Sequence, residues 1–247
     1  MSQPAFVRAL GIGFEGRLTD INFELPAGTT VAILGPSGSG KTTLLRVMAG
    51  FEAPQSGRLE IDGKPASAGG RVLIPTELRG LAYAFQEPAL MPHLDAMGNV
   101  HLAFRGATPE RLERAGQALA DVGLNGLENR RIWQLSGGEA QRVQLARVLA
   151  AQARMLLLDE PFASVDRMCR ADLLARIGPR LRSAAGAGIT AIVTHDPADA
   201  QELCDLTMVL KAGRIVAFGG FESIAAGAHG EWPAQFLAAG LAGREIS

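Results

Sequence analysis

Gly35-Pro36-Ser37-Gly38-Ser39-Gly40-Lys41-Thr42 has the composition and spacing of a loop that grips phosphate groups, and Thr43 carries it into the helical run of Leu44 and Leu45. Glycines let such a loop fold back so that successive backbone N–H groups point inward, and the start of the following helix adds partial positive charge. Lys41 supplies a full charge at β- and γ-phosphates, and Thr42 a hydroxyl for Mg²⁺. Asp159 and Glu160 close an apolar run that begins at Met155. In a phosphoryl-transfer site Asp159 would hold Mg²⁺ through water, and Glu160 would orient and activate the attacking water as general base. Gln86 and His195 each follow an apolar run of their own. Gln86 can ligate Mg²⁺ or hold water, and His195 can donate a hydrogen bond to a γ-phosphate. Taken singly, each feature has an ordinary alternative: a glycine-rich turn, an acidic helix start, a polar side chain at a strand end. Their recurrence at four strand ends favours the shared chemistry.

Those strand ends imply an α/β fold. Thr30 to Leu34, Leu81 to Phe85, Met155 to Leu158 and Ile189 to Val193 are apolar runs suited to strands covered on both faces, spaced widely enough for crossover helices in a mainly parallel sheet. Earlier, Ile21, Phe23 and Leu25 alternate, as do Leu59 and Ile61 before the Asp62-Gly63 turn, which reads as an antiparallel edge layer. From Pro88 the character turns helical, with Thr108-Pro109-Glu110 as a helix start and Leu112, Ala115, Leu119 and Val122 at helical spacing. Thr207 to Leu210 and Arg214 to Phe218 flank Lys211-Ala212-Gly213 as a hairpin. The expected division is an α/β core from 1–87 and 150–222 with its β layer, an inserted helical lobe at 88–149 and a helical tail at 223–247.

Leu135-Ser136-Gly137-Gly138-Glu139 narrows the class. Ser136 and Glu139 form a capping box where a helical pattern begins, but good capping does not explain paired glycines. Glycines let a backbone approach something closely, and a capped helix start can receive an anion. With these motifs in this order, the chain resembles the ATP-binding cassette family over almost its full length. The resemblance rests on the phosphate loop at Gly35, Gln86, the segment from Leu135 to Glu139, the pair Asp159 and Glu160, the loop ending Ser164-Val165-Asp166, and His195. It implies a P-loop NTPase-type fold, ATP and Mg²⁺ as ligands, and ATP hydrolysis. It also implies a head-to-tail homodimer in which Ser136, Gly137 and Gly138 of one copy close over the γ-phosphate bound by the other. Phe14 falls where the family sets an aromatic ring against adenine, and Asp166 where the subunits communicate. Three departures stand out: Glu139 replaces the commoner glutamine, Ser164-Val165-Asp166 the commoner Ala-Leu-Asp, and Phe14 lacks a tyrosine hydroxyl. A carboxylate facing a γ-phosphate would repel it, so Glu139 is expected to turn back and cap its own helix.

Composition limits the partners. Among 247 residues, 24 basic and 25 acidic side chains are interspersed for a formal charge of -1, which offers no footprint for nucleic acid. The chain is too short for two cassettes, so a second copy must be recruited. No run of about 18 apolar residues spans a bilayer, and Met1-Ser2-Gln3-Pro4 opens no secretion signal, so a cytosolic location is expected. Cys169 and Cys204 lack metal or redox spacing and read as ordinary thiols. Phe85 to Leu94 and Thr194-His195-Asp196-Pro197 resemble bacterial importer subunits for molybdate, sulfate, thiamine, iron or polyamines. That resemblance implies integral membrane permease subunits docking at residues 87 to 104, a solute-binding protein acting indirectly, and a peripheral position on the cytoplasmic face of the inner membrane. No regulatory domain is expected after the cassette. An exporter or lipid-handling subunit, or a cassette protein outside transport, are the alternatives.

Overall fold

The structure, a computed structural model, describes residues 5–242 apart from 105, 107 and 187. Met1 to Pro4, the side chain of Cys169 and residues 243–247 of the expected tail lie outside the described residues. Along the chain run strands β1 (Ala5–Phe14), β2 (Leu18–Pro26) and β3 (Thr29–Leu34), helix α1 (Lys41–Ala49), and strands β4 (Ser56–Ile61), β5 (Lys64–Ala68), β6 (Arg71–Val72) and β7 (Leu81–Ala84). Helices α2 (Ala96–His101), α3 (Pro109–Asp121) and α4 (Gly137–Ala150) follow. Then come β8 (Met155–Asp159), α5 (Arg167–Ala185), β9 (Ile189–Val193), α6 (Pro197–Leu203), β10 (Leu206–Lys211), β11 (Arg214–Gly219), α7 (Phe221–Ala225) and α8 (Glu231–Ala242).

Two sheets form. The larger runs in the order β11-β10-β3-β9-β8-β7, parallel throughout except for the β10–β11 hairpin at one edge. Strands β3, β8 and β9 are buried at every position, as their unbroken apolar runs require of strands covered on both faces. Strand β7 ends at Ala84 and sits at the sheet edge, yet both of its faces are covered, with Tyr83 in one core and Ala84 in the other and Leu81 and Ala82 partly exposed beside them. The antiparallel layer runs β2-β1-β4-β5-β6. In β2 Ile21, Phe23 and Leu25 are buried and their neighbours Asn22 and Glu24 exposed, the period of two that aims one face at the core.

Alternation in the parallel strands divides the core. Leu157 and Val193 face a cluster that includes Leu44, Leu45 and Met48 of α1 and Ile12, Ile21 and Leu59 of the antiparallel layer. Leu156, Leu158 and Ile192 face the opposite cluster with α3, α4 and α5. A third cluster seats Phe221, Ile224 and Leu237 of α7 and α8 against Leu34 and Val209. Helix α3 begins as its sequence requires, with Thr108 as N-cap accepting from the Arg111 N–H and Pro109 in the first turn. Ala115, Leu119 and Val122 are buried, but Leu112 is 45% exposed, so the helical period extends one turn beyond the covered stripe. No helix among the described residues is long and apolar enough to cross a membrane.

Arg79 joins the layers. It is 5% exposed, and its guanidinium donates to the carbonyls of Val47 and Met48 at the end of α1, to those of Ala66 and Ile74, and to the Ser67 hydroxyl. Burial pushes its pKa down to about 10, still well above neutrality. Arg79→Met would keep the packing of the stem and remove every one of these donors. Thermal unfolding should show a loss of about 3 kcal/mol, a Tm lower by roughly 6–12 °C; a shift under about 2 °C would mean that water replaces the guanidinium.

Candidate active site

The site grows from the carboxyl ends of β3, β7, β8 and β9. After Leu34 the chain turns through residues 35–40 into α1. Gly40, the residue before the helix, sits at φ 101°, and a Cβ there would stand 2.6 Å from the Arg17 carbonyl oxygen, so only glycine closes the loop against that backbone. Lys41 is 8% exposed and lies back along the loop, its Nζ donating to the carbonyls of Gly35 at 2.8 Å and Pro36 at 3.0 Å. Burial lowers its pKa, with the nearby carboxylates of Glu160 and Asp159 acting in the opposite direction.

Asp159 ends β8 at 3% exposure and is gripped at both oxygens. Thr42 Oγ1 donates to Oδ1 at 3.1 Å and the Tyr83 hydroxyl donates to Oδ2 at 3.3 Å. Burial raises the Asp159 pKa, and the two hydrogen bonds oppose the rise. Desolvation, reinforced by Asp159, pushes the Tyr83 phenol far up, so it stays a donor. Phe51 and Phe85 pack on the Tyr83 ring, with centroids 5.1 and 4.5 Å away, and fix its direction. Glu160 follows in the left-handed region at φ 48°, its N–H donating to the Val193 carbonyl at 2.9 Å. Its Oε2 accepts from Gln86 Nε2 at 3.4 Å and lies 3.9 Å from His195 Nδ1.

These groups line one open cleft of about 550 Å³, formed by Gly35, Ser37, Gly38, Ser39, Gly40, Lys41, Thr42 and Thr43 on one side and Gln86, Glu160 and His195 on the other. Pro36 contributes its carbonyl to Lys41, and Asp159 lies behind Thr42. Phe14 stands beside the cleft, half-buried, with the Arg17 guanidinium 4.7 Å over its ring.

Ser136, Gly137, Gly138 and Asp166 do not line the cleft. Ser136 caps α4: its Oγ accepts from the Glu139 N–H at 3.2 Å, and Glu139 Oε2 accepts from the Ser136 N–H at 2.7 Å. The carboxylate thus turns back onto its own helix. The two glycines divide. A Cβ on Gly137 would meet open space, whereas one on Gly138 would stand 2.6 Å from the Ser164 carbonyl oxygen, so the second glycine is required by packing within the chain. Asp166 is exposed, and its carbonyl accepts from the Arg170 N–H.

Four contributors were not anticipated: Arg17, Tyr83, Gln141 and Gln144. Tyr83 is the sole tyrosine, set in an apolar strand, and a buried phenol must find an acceptor, which was signal enough. Gln141 and Gln144 fall on the buried stripe of α4 beside Val143 and Leu145, where amides need partners. Arg17 closes the turn between β1 and β2, its N–H donating to the Phe14 carbonyl, and carries no sequence signal.

The family model described as ABC transporter matches residues 18–163, and the chain belongs to that family. Among curated relatives, the Fe(3+) ions import ATP-binding protein FbpC of Pseudomonas fluorescens is 43% identical over 202 residues, covering 81% of this chain and 56% of the relative. FbpC of Serratia marcescens is 40% identical over 82% of this chain and 58% of its own length. The chain therefore spans little more than half the length of the curated relatives it matches. Among solved structures, cbiO1 from Clostridium perfringens, part of the ABC transporter complex cbiONQ, aligns with a TM-score of 0.77 at 27% identity over 92% of this chain and 93% of that one. The ATP-binding cassette MJ0796, a dimer in a post-hydrolysis state bound to ADP and Pi, aligns with a TM-score of 0.74 at 28% identity over 87% and 98%.

The bond from the Ser136 N–H holds the Glu139 carboxyl below the usual range. A depressed carboxyl pKa gives stability that is present above the unfolded value and lost as pH falls through the folded one. Glu139→Ala should therefore lower the Tm at neutral pH by roughly 2–4 °C, about 1 kcal/mol, and the gap from the parent should narrow on acidification below the carboxylate range. Glu139→Gln keeps an acceptor for the Ser136 N–H and should melt within about 1 °C of the parent; calorimetry across pH distinguishes the pair.

Proposed function

We propose that the chain is the ATP-hydrolysing subunit of a membrane importer. The observation that carries the reading is the meeting of the phosphate loop, Gln86, Glu160 and His195 at one cleft, with Glu160 Oε2 within 3.4 Å of Gln86 and 3.9 Å of His195. On this reading the loop from Gly35 to Thr43 binds the ATP phosphates through backbone N–H groups, and Lys41 exchanges the carbonyls of Gly35 and Pro36 for phosphate oxygens. The donor set fits Mg²⁺: the Thr42 hydroxyl and Asp159 carboxylate, 3.1 Å apart, offer hard oxygens, and Gln86 adds an amide. No larger cluster of His, Cys, Asp and Glu exists among the described residues, as suits a cation held mainly by phosphates. Bound Mg²⁺ would neutralise charge on the phosphate oxygens. Glu160 accepts a proton from the attacking water and His195 donates a hydrogen bond to the γ-phosphate.

The remaining roles belong to an assembly. Two copies pair head to tail so that Ser136, Gly137 and Gly138 of one close on the γ-phosphate held by the other, with Asp166 between the sites. Phe14 receives adenine, and Arg17 moves off the ring or shares it. The core of 1–87 and 150–222 carries the nucleotide, the helical lobe at 88–149 carries the pairing helix start, and 223–247 forms the tail. Residues 87 to 104 take up a permease subunit on the cytoplasmic face of the inner membrane, and a solute-binding protein delivers the cargo. Ferric iron, the cargo named for the curated relatives, is the first candidate solute.

Phosphate release from the purified chain with Mg·ATP tests the reading. Glu160→Gln should slow hydrolysis by roughly 10² or more while a fluorescent ATP analogue still binds. Lys41→Ala should instead weaken that binding. Normal turnover by Glu160→Gln would remove the carboxylate from its assigned role. Import is tested by co-purification with a permease and by stimulation of hydrolysis when the binding protein is loaded with Fe³⁺.

A further inference from the structure

Helix α4 buries Gln141 and Gln144, three residues apart, at 1% exposure each, in a stripe otherwise made by Val143, Leu145, Ala146 and Val148. Burying an amide is unfavourable unless its donor and acceptor are both used, and a purely space-filling position there would be served by leucine or methionine. Each amide uses its oxygen and one N–H, and neither bonds another side chain. Gln141 Nε2 donates to the Glu160 carbonyl at 2.8 Å, and its Oε1 accepts from the Ser164 N–H at 2.8 Å. Gln144 Nε2 donates to the Phe85 carbonyl at 2.7 Å, and its Oε1 accepts from the N–H groups of Ala89 at 3.0 Å and Phe85 at 3.3 Å.

The backbones they hold are the ones a sheet cannot. Phe85 lies one residue beyond β7 and immediately before Gln86, while Glu160 lies one residue beyond β8. Glu160 also sits at φ 48°, a conformation that a residue with a Cβ keeps only when its surroundings enforce it. Its N–H is tied to Val193 and its carbonyl to Gln141, so both peptide groups around its Cα are fixed, and with them the direction in which its side chain leaves the backbone. Gln144 grips both backbone groups of Phe85 and so fixes the peptide that leads into Gln86. The two side chains so placed meet at 3.4 Å, Gln86 Nε2 to Glu160 Oε2.

We infer that Gln141 and Gln144 are positioning residues for hydrolysis. Two amides on one helix face set the Glu160 carboxylate and the Gln86 amide against each other and carry any displacement of the Ser136 helix start into that pair. The inference rests on the ATPase reading above. Neither glutamine touches the phosphate loop, so nucleotide binding should not depend on them.

The test uses the full chain with Gln141→Met, Gln144→Met and the double variant, which keep side-chain length and remove the amide. Melting temperature, affinity for a fluorescent ATP analogue, KM and kcat are measured, the kinetics at least 10 °C below each Tm. Each single variant should lose about tenfold or more in kcat while KM and analogue affinity stay within about twofold. The double variant should lose less than the product of the singles, because both act on one pair of groups. Gln141→Leu also removes both bonds while keeping an apolar, helix-compatible side chain; it should be slow like Gln141→Met, and it replaces that variant if the methionine form does not fold. A lowered Tm with kcat within about twofold of the parent overturns the inference and leaves the ATPase reading intact. Parent protein that binds the analogue but releases no phosphate from Mg·ATP overturns both.

Discussion

Main-chain hydrogen bonds between three parallel strands decide where the groups at the cleft stand. Ile33 of β3 is level with Val193 of β9, and Val193 is level with Asp159 of β8, so the chain leaves all three strands in one row. A shift of one strand by one residue would exchange its two faces and turn the groups at its end away from the cleft. In β8 a one-residue slip would exchange leucine for leucine on both faces, so the register is held at the strand end, where a slip would pull Asp159 from the hydroxyls of Thr42 and Tyr83.

Electrostatics within that row is balanced without a ligand. Lys41 and Asp159 are both withdrawn from water, one losing affinity for its proton and the other gaining it. Each is compensated by local partners, the lysine by two loop carbonyls and the aspartate by two hydroxyls. Lysine bound to its own loop ties the start of α1 back to the two carbonyls that follow β3. The acid pair is likewise split by environment: Asp159 is enclosed by hydroxyl donors, while Glu160 reaches the open cleft.

Much of this was legible in the sequence because it depends on local rules. Unbroken apolar runs marked β3, β8 and β9, alternation marked β2, and capping residues marked the starts of α3 and α4. What escaped depends on contacts between distant segments. An edge strand such as β7 can be as apolar as a central one, since both of its faces are covered and composition does not reveal its place in the sheet order. Leu112 fits the helical period, yet no second layer reaches it. Gly138 reads as a residue kept small for a close approach, but the sequence does not show that the Ser164 carbonyl is one of the groups that approaches it. Arg79, Gln141 and Gln144 satisfy backbone groups many residues away, and such pairings leave no periodic trace.

Arg79 has a consequence at the far end of the helix it terminates. Helix α1 is only nine residues long, with the phosphate loop at its amino end and the guanidinium bonded to the carbonyls of Val47 and Met48 at the other. Aligned peptide units make such a short segment a single electrical dipole, negative where Arg79 sits and positive at Lys41. A cation fastened at the negative pole steadies that alignment, so the antiparallel layer, through Ala66 and Ser67, helps hold the polarity of the opposite, positive pole.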